Sequence, residues 1–345
     1  MSLAYRRLEA QRLVGQPFAT IVDAVGALCA VQAQDYPGAA WGVGQRVAGS
    51  TMTDMKAALA AGDVLRTHVL RPTWHLVTPA DIRWLLELTG PRIIAGAASR
   101  YRELELDGET LVRSAGVIER ELADGRHRTR TELGTALGAD GIEASGGRLA
   151  HVLMHAELTA LVCSGAPRGK QQTYALLDER APSGGSLDRD EALAQLAKRF
   201  ATAHSPFRDV DLAWWGGITL GDARRALGGS GLEAQTIGPH EYWSAHATPA
   251  AEPKATIHLL PNFDEYVVAY RDRTHVFETA AITTRTFVHD YLSSHLVVRD
   301  GRAVGRWRRP AGSRAVAIEL LTPLGDDLEA QLEPALAAYA AFGAE

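Results

Sequence analysis

Apolar positions at the start of the chain recur at helical spacing and then change period. Residues 3–13 and 20–30 read as two short helices separated by Gly15-Gln16-Pro17, with Ile21, Val25, Leu28 and Cys29 on one face of the second. Trp41 to Val47 reads as a short strand, preceded by a turn at Pro37-Gly38. Met52 to Ala61 is helical, with Met52, Met55 and Leu59 aligned and Thr51 or Thr53 as its cap. Val64 to Val77 alternates as a strand pair broken at Arg71-Pro72. Thr78-Pro79-Ala80-Asp81 then starts a long helix carrying Ile82, Leu85, Leu86 and Leu88.

The same order returns. Helices are expected over Thr110–Ala123, Arg130–Leu137 (introduced by Thr129 or Thr131) and Gly147–Leu161, followed by a hairpin of 161–163 with 173–177. After a Pro/Ser/Gly-rich linker at 180–187, a third pass predicts helices over 190–203, 210–215 and 219–227 and strands at 233–237 and 241–244. From Thr256 the pattern is strand-like at 257–260, 266–270, 295–299, 303–308 and 314–320, with Asp300-Gly301 as a two-residue hairpin turn. A helix over 326–342 closes the chain. Helices followed by a strand pair, three times over, is the order of winged helix-turn-helix units. The expected fold class is therefore α+β: units at 1–105, 106–180 and 187–255, then a β-rich subdomain with a terminal helix at 256–345.

Composition narrows the class. The 345 residues are 46% hydrophobic and 22% charged, with no run of 18 apolar residues and no signal-peptide pattern, so a soluble, cytoplasmic protein without a membrane partner is expected. Cys29 and Cys163 sit in apolar segments and read as reduced core residues, and no Cys/His cluster has zinc spacing, so neither metal nor cofactor is expected. The net charge of −5 argues against indiscriminate nucleic-acid binding but leaves room for a local basic face. All but four of the 36 basic residues are Arg, which suits bidentate phosphate contacts and equally follows from a GC-rich genome.

Several constellations carry chemistry. Gln32 and Gln34 flank Ala33. In extended backbone their amides share a side; in a helix they diverge by about 200°. Neither titrates, so they can orient water or substrate or stabilise developing charge but cannot act as bases. The alternative is a frayed helix end. Arg299, Arg302, Arg306, Arg308, Arg309 and Arg314 surround Trp307 in a hairpin that could enter a DNA groove, or form a solvated edge. Arg126, Arg128 and Arg130 lead into the middle helix of the second unit, where backbone contacts or an ordinary exposed loop both fit. His75 could face the glutamines or be structural. Asp264 and Glu265 head the 266–270 segment, where they can hold a water or a base edge, or serve as a turn cap.

Four stretches then carry a resemblance: Ala30-Val31-Gln32-Ala33-Gln34-Asp35, Arg71-Pro72-Thr73-Trp74-His75-Leu76-Val77, Leu259-Leu260-Pro261-Asn262-Phe263-Asp264-Glu265-Tyr266 and Val304-Gly305-Arg306-Trp307-Arg308-Arg309. With them nearly the whole chain resembles the AlkZ-like family of bacterial tandem winged-helix DNA glycosylases, relatives of the azinomycin-resistance glycosylase. The resemblance implies three winged-helix units in a C-shaped arrangement with a β-rich C-terminal part. The family's catalytic motif is Gln-x-Gln in one branch and Gln-x-Asp in another; Gln32 and Gln34 match the first. It further implies a monomeric, monofunctional glycosylase acting on double-stranded DNA that carries N-alkylated, cationic purines, crosslinks included. Asp35, His75 and Asp264 would support the active site, and Arg126, Arg128, Arg130, Arg299, Arg306, Arg308 and Arg309 would contact DNA. The acidic overall charge departs from what tight DNA binding suggests. A non-enzymatic winged-helix DNA-binding or regulatory protein is the alternative, since fold does not fix function; a small-molecule binder using an interdomain cleft is a remoter one.

Overall fold

A computed structural model describes residues 2–181, 184–245, 255–277, 294–310, 315–321 and 328–343. The chain forms two compact units, one of Met1–Met55 with Leu193–Glu345 and one of Lys56–Ala192. The architecture is mixed helix and sheet.

The first unit begins with α1 (Leu3–Ala10), whose N-terminus is capped by Ser2 accepting from the Tyr5 N–H, and α2 (Ile21–Leu28), capped likewise by Thr20 on the Asp23 N–H. At Cys29 the backbone takes φ +67°, which ends α2 and turns the chain into the two-residue strand β1 (Val31–Gln32). The segment expected to be a strand at 41–47 is instead a helix, α3 (Tyr36–Gly44). Pro37 sits in its first turn, where its fixed φ suits a helix start, so Pro37-Gly38 begins an element rather than a free turn. Every residue from Gly38 to Gly44 is buried, which erases the periodic signal that separates a helix from a strand.

The chain enters the second unit within α4 (Met52–Ala61). There follow the antiparallel hairpin of β2 (Leu65–His68) with β3 (Trp74–Val77), then α5 (Pro79–Gly96), α6 (Ala98–Glu103) and α7 (Gly108–Leu122). Next come β4 (Arg128–Thr129), α8 (Arg130–Ala139), α9 (Gly146–Leu158), β5 (Val162–Ser164), β6 (Thr173–Leu176) and α10 (Leu177–Arg180). Strands β4, β6 and β5 form one sheet in that order, Val162 opposite Leu176. Val117, Ile118, Leu122, Leu133, Leu137, Val152 and Leu153 fill the space between α7, α8, α9 and that sheet. Thr129 and Glu132 form a reciprocal capping box that fixes where α8 starts.

The chain returns through α11 (Arg189–His204) to α12 (Asp209–Gly216), α13 (Leu220–Ser230) and the hairpin β7 (Glu233–Ile237) with β8 (His240–Ser244). Then come β9 (Ile257–Leu260), α14 (Glu265–Val268), α15 (Thr274–Phe277), β10 (His295–Arg299), β11 (Arg302–Arg308), β12 (Ala317–Leu320) and α16 (Leu328–Phe342). The last four strands form an antiparallel sheet, order β12-β11-β10-β9. Asp300 and Gly301 both take positive φ, as the predicted two-residue turn requires. The expected strand at 266–270 is not one. The Asp264 side chain accepts from the Tyr266 N–H and starts the short helix α14. Arg7, 1% exposed, ties α1 into this unit: it donates to the Pro206 carbonyl and lies 3.6 Å from the Tyr270 ring centroid. Arg314 falls outside the described residues.

Candidate active site around the glutamine motif

Gln32 and Gln34 lie outside helix, Gln32 in β1 and Gln34 in the bend before α3, with Asp35 as the N-cap position. Gln32 is buried and Gln34 exposed. The backbone of Gln32 is anchored by an acid 233 residues away: its N–H donates to Glu265 Oε1 at 2.9 Å. Glu265 is 1% exposed, and a buried carboxylate is tolerated only when donors surround it. Its other oxygen, Oε2, accepts from the Trp215 indole N–H at 3.0 Å and lies 3.5 Å from His204 Nε2. His204 in turn donates from Nδ1 to the Phe200 carbonyl and stacks on the Phe200 ring. A carboxylate, an indole and an imidazole, all buried, thus hold the main chain of the motif.

A second group gathers where α3 begins. Gly38 has no side chain, and a Cβ placed there would lie 2.7 Å from Asp35 Oδ2 and 2.9 Å from Asn262 Oδ1. Asp35 makes no side-chain capping bond to α3. Asn262 Oδ1 is buried and, among the described residues, accepts no hydrogen bond. The Asn262 N–H donates to His295 Nδ1 at 3.0 Å. Burial lowers the His295 pKa from its usual value, against the opposing pull of the Asp35 charge. His295 stacks on Trp307 (centroids 4.5 Å apart, 26° between planes), and the Trp307 N–H is fixed on the Leu260 carbonyl. These two rings, with Arg306, Arg308, Ile318 and Glu319, line a cleft of about 560 Å³.

The other expected site residues fall elsewhere. Asp264 is 4% exposed and makes a bidentate pair with the buried Arg46 (2.9 and 2.8 Å) while capping α14. Of the two readings of that acid, the turn cap describes what it does. His75 belongs to the second unit, fully buried, with Nδ1–H on the Thr73 carbonyl; burial first, then the Arg71 charge, hold its pKa well below the usual 6.5. Arg126 closes the C-terminal end of α7 by donating to the Arg120 and Ala123 carbonyls, Arg128 pairs with Glu121, and Arg130 donates to the Gly146 carbonyl. On β11, Ala303, Gly305 and Trp307 are buried while Arg302, Arg306 and Arg308 alternate with them. Arg299 approaches Asp300, Arg306 approaches Glu319, and Arg308 and Arg309 are exposed. The hairpin tip is not a projecting wedge: Gly301 is buried, and its carbonyl and that of Ala4 receive the Tyr266 hydroxyl.

A model of the family described as DNA glycosylase AlkZ-like matches residues 25–342. The chain belongs to the AlkZ-like DNA glycosylase family. An interstrand DNA cross-link repair glycosylase of Streptomyces sahachiroi is 26% identical over 326 residues, covering 87% of this chain and 85% of the relative. The solved structure of the Streptomyces sahachiroi DNA glycosylase AlkZ superposes with a TM-score of 0.79 at 23% identity, covering 99% of this chain and 95% of that one. This AlkZ-like protein is therefore a DNA repair enzyme, and the non-enzymatic alternative is not favoured. Among its described residues, no helix is long and apolar enough to cross a membrane. Asn262, His295, His204 and Trp215 were not singled out from the sequence. Asn262 and Glu265 stand inside a stretch that carried the family resemblance, but nothing in sequence spacing pointed to His295.

Proposed function

We propose that this chain excises N-alkylated, cationic purines from double-stranded DNA, interstrand crosslinks among them, by hydrolysing the N-glycosidic bond with Gln32 and Gln34 as its catalytic amides. The observation that carries the reading is the anchoring of Gln32 by the buried Glu265, outside any helix, on a motif that the family resemblance assigns to catalysis. Such fixed polar groups stabilise charge without reorganising during the reaction. A purine alkylated at N7 is positively charged and already a good leaving group, so no strong general acid is needed. As the bond breaks, positive charge moves to the sugar; amide oxygens near C1′ stabilise it and orient the attacking water. The cross-link activity named for the Streptomyces relative supports the substrate class.

In this reading residues 1–105, 106–180 and 187–255 are tandem winged-helix units and 256–345 a β-rich subdomain. The protein acts as a cytoplasmic monomer, and Arg306, Arg308 and Arg309 meet phosphates from the outer side of β11. The helix, strand, helix, helix, hairpin order of α7 to β6 supports the winged-helix assignment. The test is single-turnover release of 7-methylguanine from alkylated duplex, with binding to intact DNA measured alongside. Gln32→Ala and Gln34→Ala are each expected to slow release by about 10²–10³ with little change in binding, because the lost interaction exists only in the transition state. Full-rate release by both variants would refute the assignment.

A further inference from the structure

We infer that His204 is a positioning residue for excision: it shares one proton with Glu265, and that proton sets how the Gln32 main chain is held, giving pH dependence to a reaction whose two amides do not titrate. The inference rests on the glycosylase reading above and concerns the regulation of the same site. His204 ends α11, Glu265 begins α14, and both side chains are buried. The His204 Nδ1–H is committed to the Phe200 carbonyl, which can only accept, so a neutral ring is bare at Nε2. That nitrogen makes no hydrogen bond among the described residues and stands 3.5 Å from Glu265 Oε2.

A carboxylate set against a bare ring nitrogen is repulsive away from water, and each would be left short of a donor. One proton removes the conflict wherever it sits. On Nε2 it makes an imidazolium beside a carboxylate; on Oε2 it makes a carboxylic acid that donates to a neutral ring. The two groups therefore titrate as a pair that holds one proton between them. The same carboxyl group holds the motif, with Oε1 on the Gln32 N–H at 2.9 Å and Oε2 on the Trp215 N–H at 3.0 Å. When the proton leaves to solvent, repulsion pushes the carboxylate away from His204, and the Gln32 N–H moves with its acceptor. Small displacements of a positioning group are costly in rate. Because the amides act in the transition state, the cost falls on release rather than on DNA binding.

The other charged and titratable groups around the pair are Arg7, Asp211, Tyr270 and His275. Arg7, on α1, lies over the Tyr270 ring, 3.5 Å from Asp211 on α12. Burial raises the Asp211 pKa against the pull of Arg7. The Tyr270 hydroxyl donates to the His204 carbonyl, and burial pushes its pKa far up. Burial first, then the Arg7 charge, hold His275 well below 6.5. Cys29, at the end of α2, is the titratable side chain nearest the motif in sequence.

The experiment is single-turnover release of 7-methylguanine from alkylated duplex by the full-length protein at saturating enzyme, from about pH 6 to 9, the range in which histidine pairs titrate. Wild-type rates are divided by variant rates at each pH, so titration of the alkylated base cancels. His204→Phe keeps a ring against Phe200 and removes the nitrogen that shares the proton. Glu265→Gln keeps an oxygen for the Gln32 N–H and puts a fixed N–H where the proton sits, at the expense of the bond from Trp215. Each is expected to slow release by about 10-fold at neutral pH, the worth of one hydrogen bond, with binding to intact duplex unchanged. The gap should close towards alkaline pH, as wild type loses a proton that neither variant can lose. Gln32→Ala keeps the pair but removes the amide it positions, and its profile should lack the same alkaline fall. A constant ratio across the range makes His204 structural and overturns the inference, as does wild-type speed in His204→Phe. A fall of wild-type size that survives in Gln32→Ala belongs to the base, to Cys29 or to the fold, and overturns it even where the other two variants melt early. Wild type that releases no base at any pH overturns the glycosylase reading, and this inference with it.

Discussion

Asp264→Ala separates a structural acid from a chemical one. Asp264 gives both carboxylate oxygens to Arg46, whose side chain is 1% exposed, and Oδ1 also caps α14 through the Tyr266 N–H. The variant leaves the guanidinium buried with only carbonyl-type acceptors, the Gly42 and Gln11 carbonyls and Gln11 Oε1. Breaking a buried ion pair from one side costs about 3–5 kcal/mol, and losing a helix cap about 1 more. A loss of about 4–6 kcal/mol is a large share of the roughly 5–15 kcal/mol that separates native from unfolded domains. The assay is urea unfolding followed by tryptophan fluorescence, with Trp41, Trp214, Trp215, Trp243 and Trp307 reporting on the first unit. Adding Arg46→Met should restore at least about 2 kcal/mol, since removing both charges together is far cheaper than stranding one. Base release per folded molecule, measured in the cold, should stay near wild type. A destabilisation below about 1 kcal/mol, or strictly additive effects in the double variant, would refute the ion-pair reasoning. Loss of excision by a fully folded variant would return Asp264 to the active site.

Acid should destabilise the fold in a definite window. Burial, with the Arg46 charge adding to it, holds His258 down to about 4, so between pH 6.5 and about 4 the unfolded chain takes up a proton that the folded chain refuses. Stability is then complete above pH 6.5 and falls as pH drops through that range; His75 and His275, also held well below 6.5, act in the same direction. His258→Asn should flatten the dependence of Tm on pH there, and an unchanged slope would count against it. If Arg306 and Arg308 meet phosphates, changing both to Ala should shrink the salt slope of DNA binding by about 0.9 for each phosphate no longer neutralised, whereas an unchanged slope makes them a solvated edge.

Much of the helix map was legible because its boundaries are local. Thr20, Thr129 and Thr219 each cap the helix that follows, and Asp300-Gly301 turns where its residue types demand. The two misread segments share one cause. Gly38–Gly44 and Glu265–Val268 are buried on every side, so periodicity is silent, and the deciding signals were the starts supplied by Asp35-Tyr36-Pro37 and by Asp264. The glutamine motif was legible because its two residues are neighbours. Its support was not: the Gln32 N–H donates to the Glu265 carboxylate across 233 positions, and the Asn262 N–H donates to His295.

The first unit is discontinuous, with the second inserted after Met55. During synthesis residues 56–192 are complete before any of 193–345 exist, so the inserted unit can close its own core early. The opening 55 residues meanwhile wait with the apolar faces of α1 and α2 uncovered. Their long-range closure must meet a loop-closure entropy cost before its contacts form, the kind of step that slows folding. Asn262 arrives beside Asp35, Glu265 follows to fix Gln32, and His295 comes last of the three. A polypeptide cut short before His295 would contain both glutamines and the whole inserted unit, yet lack the ring that receives the Asn262 N–H.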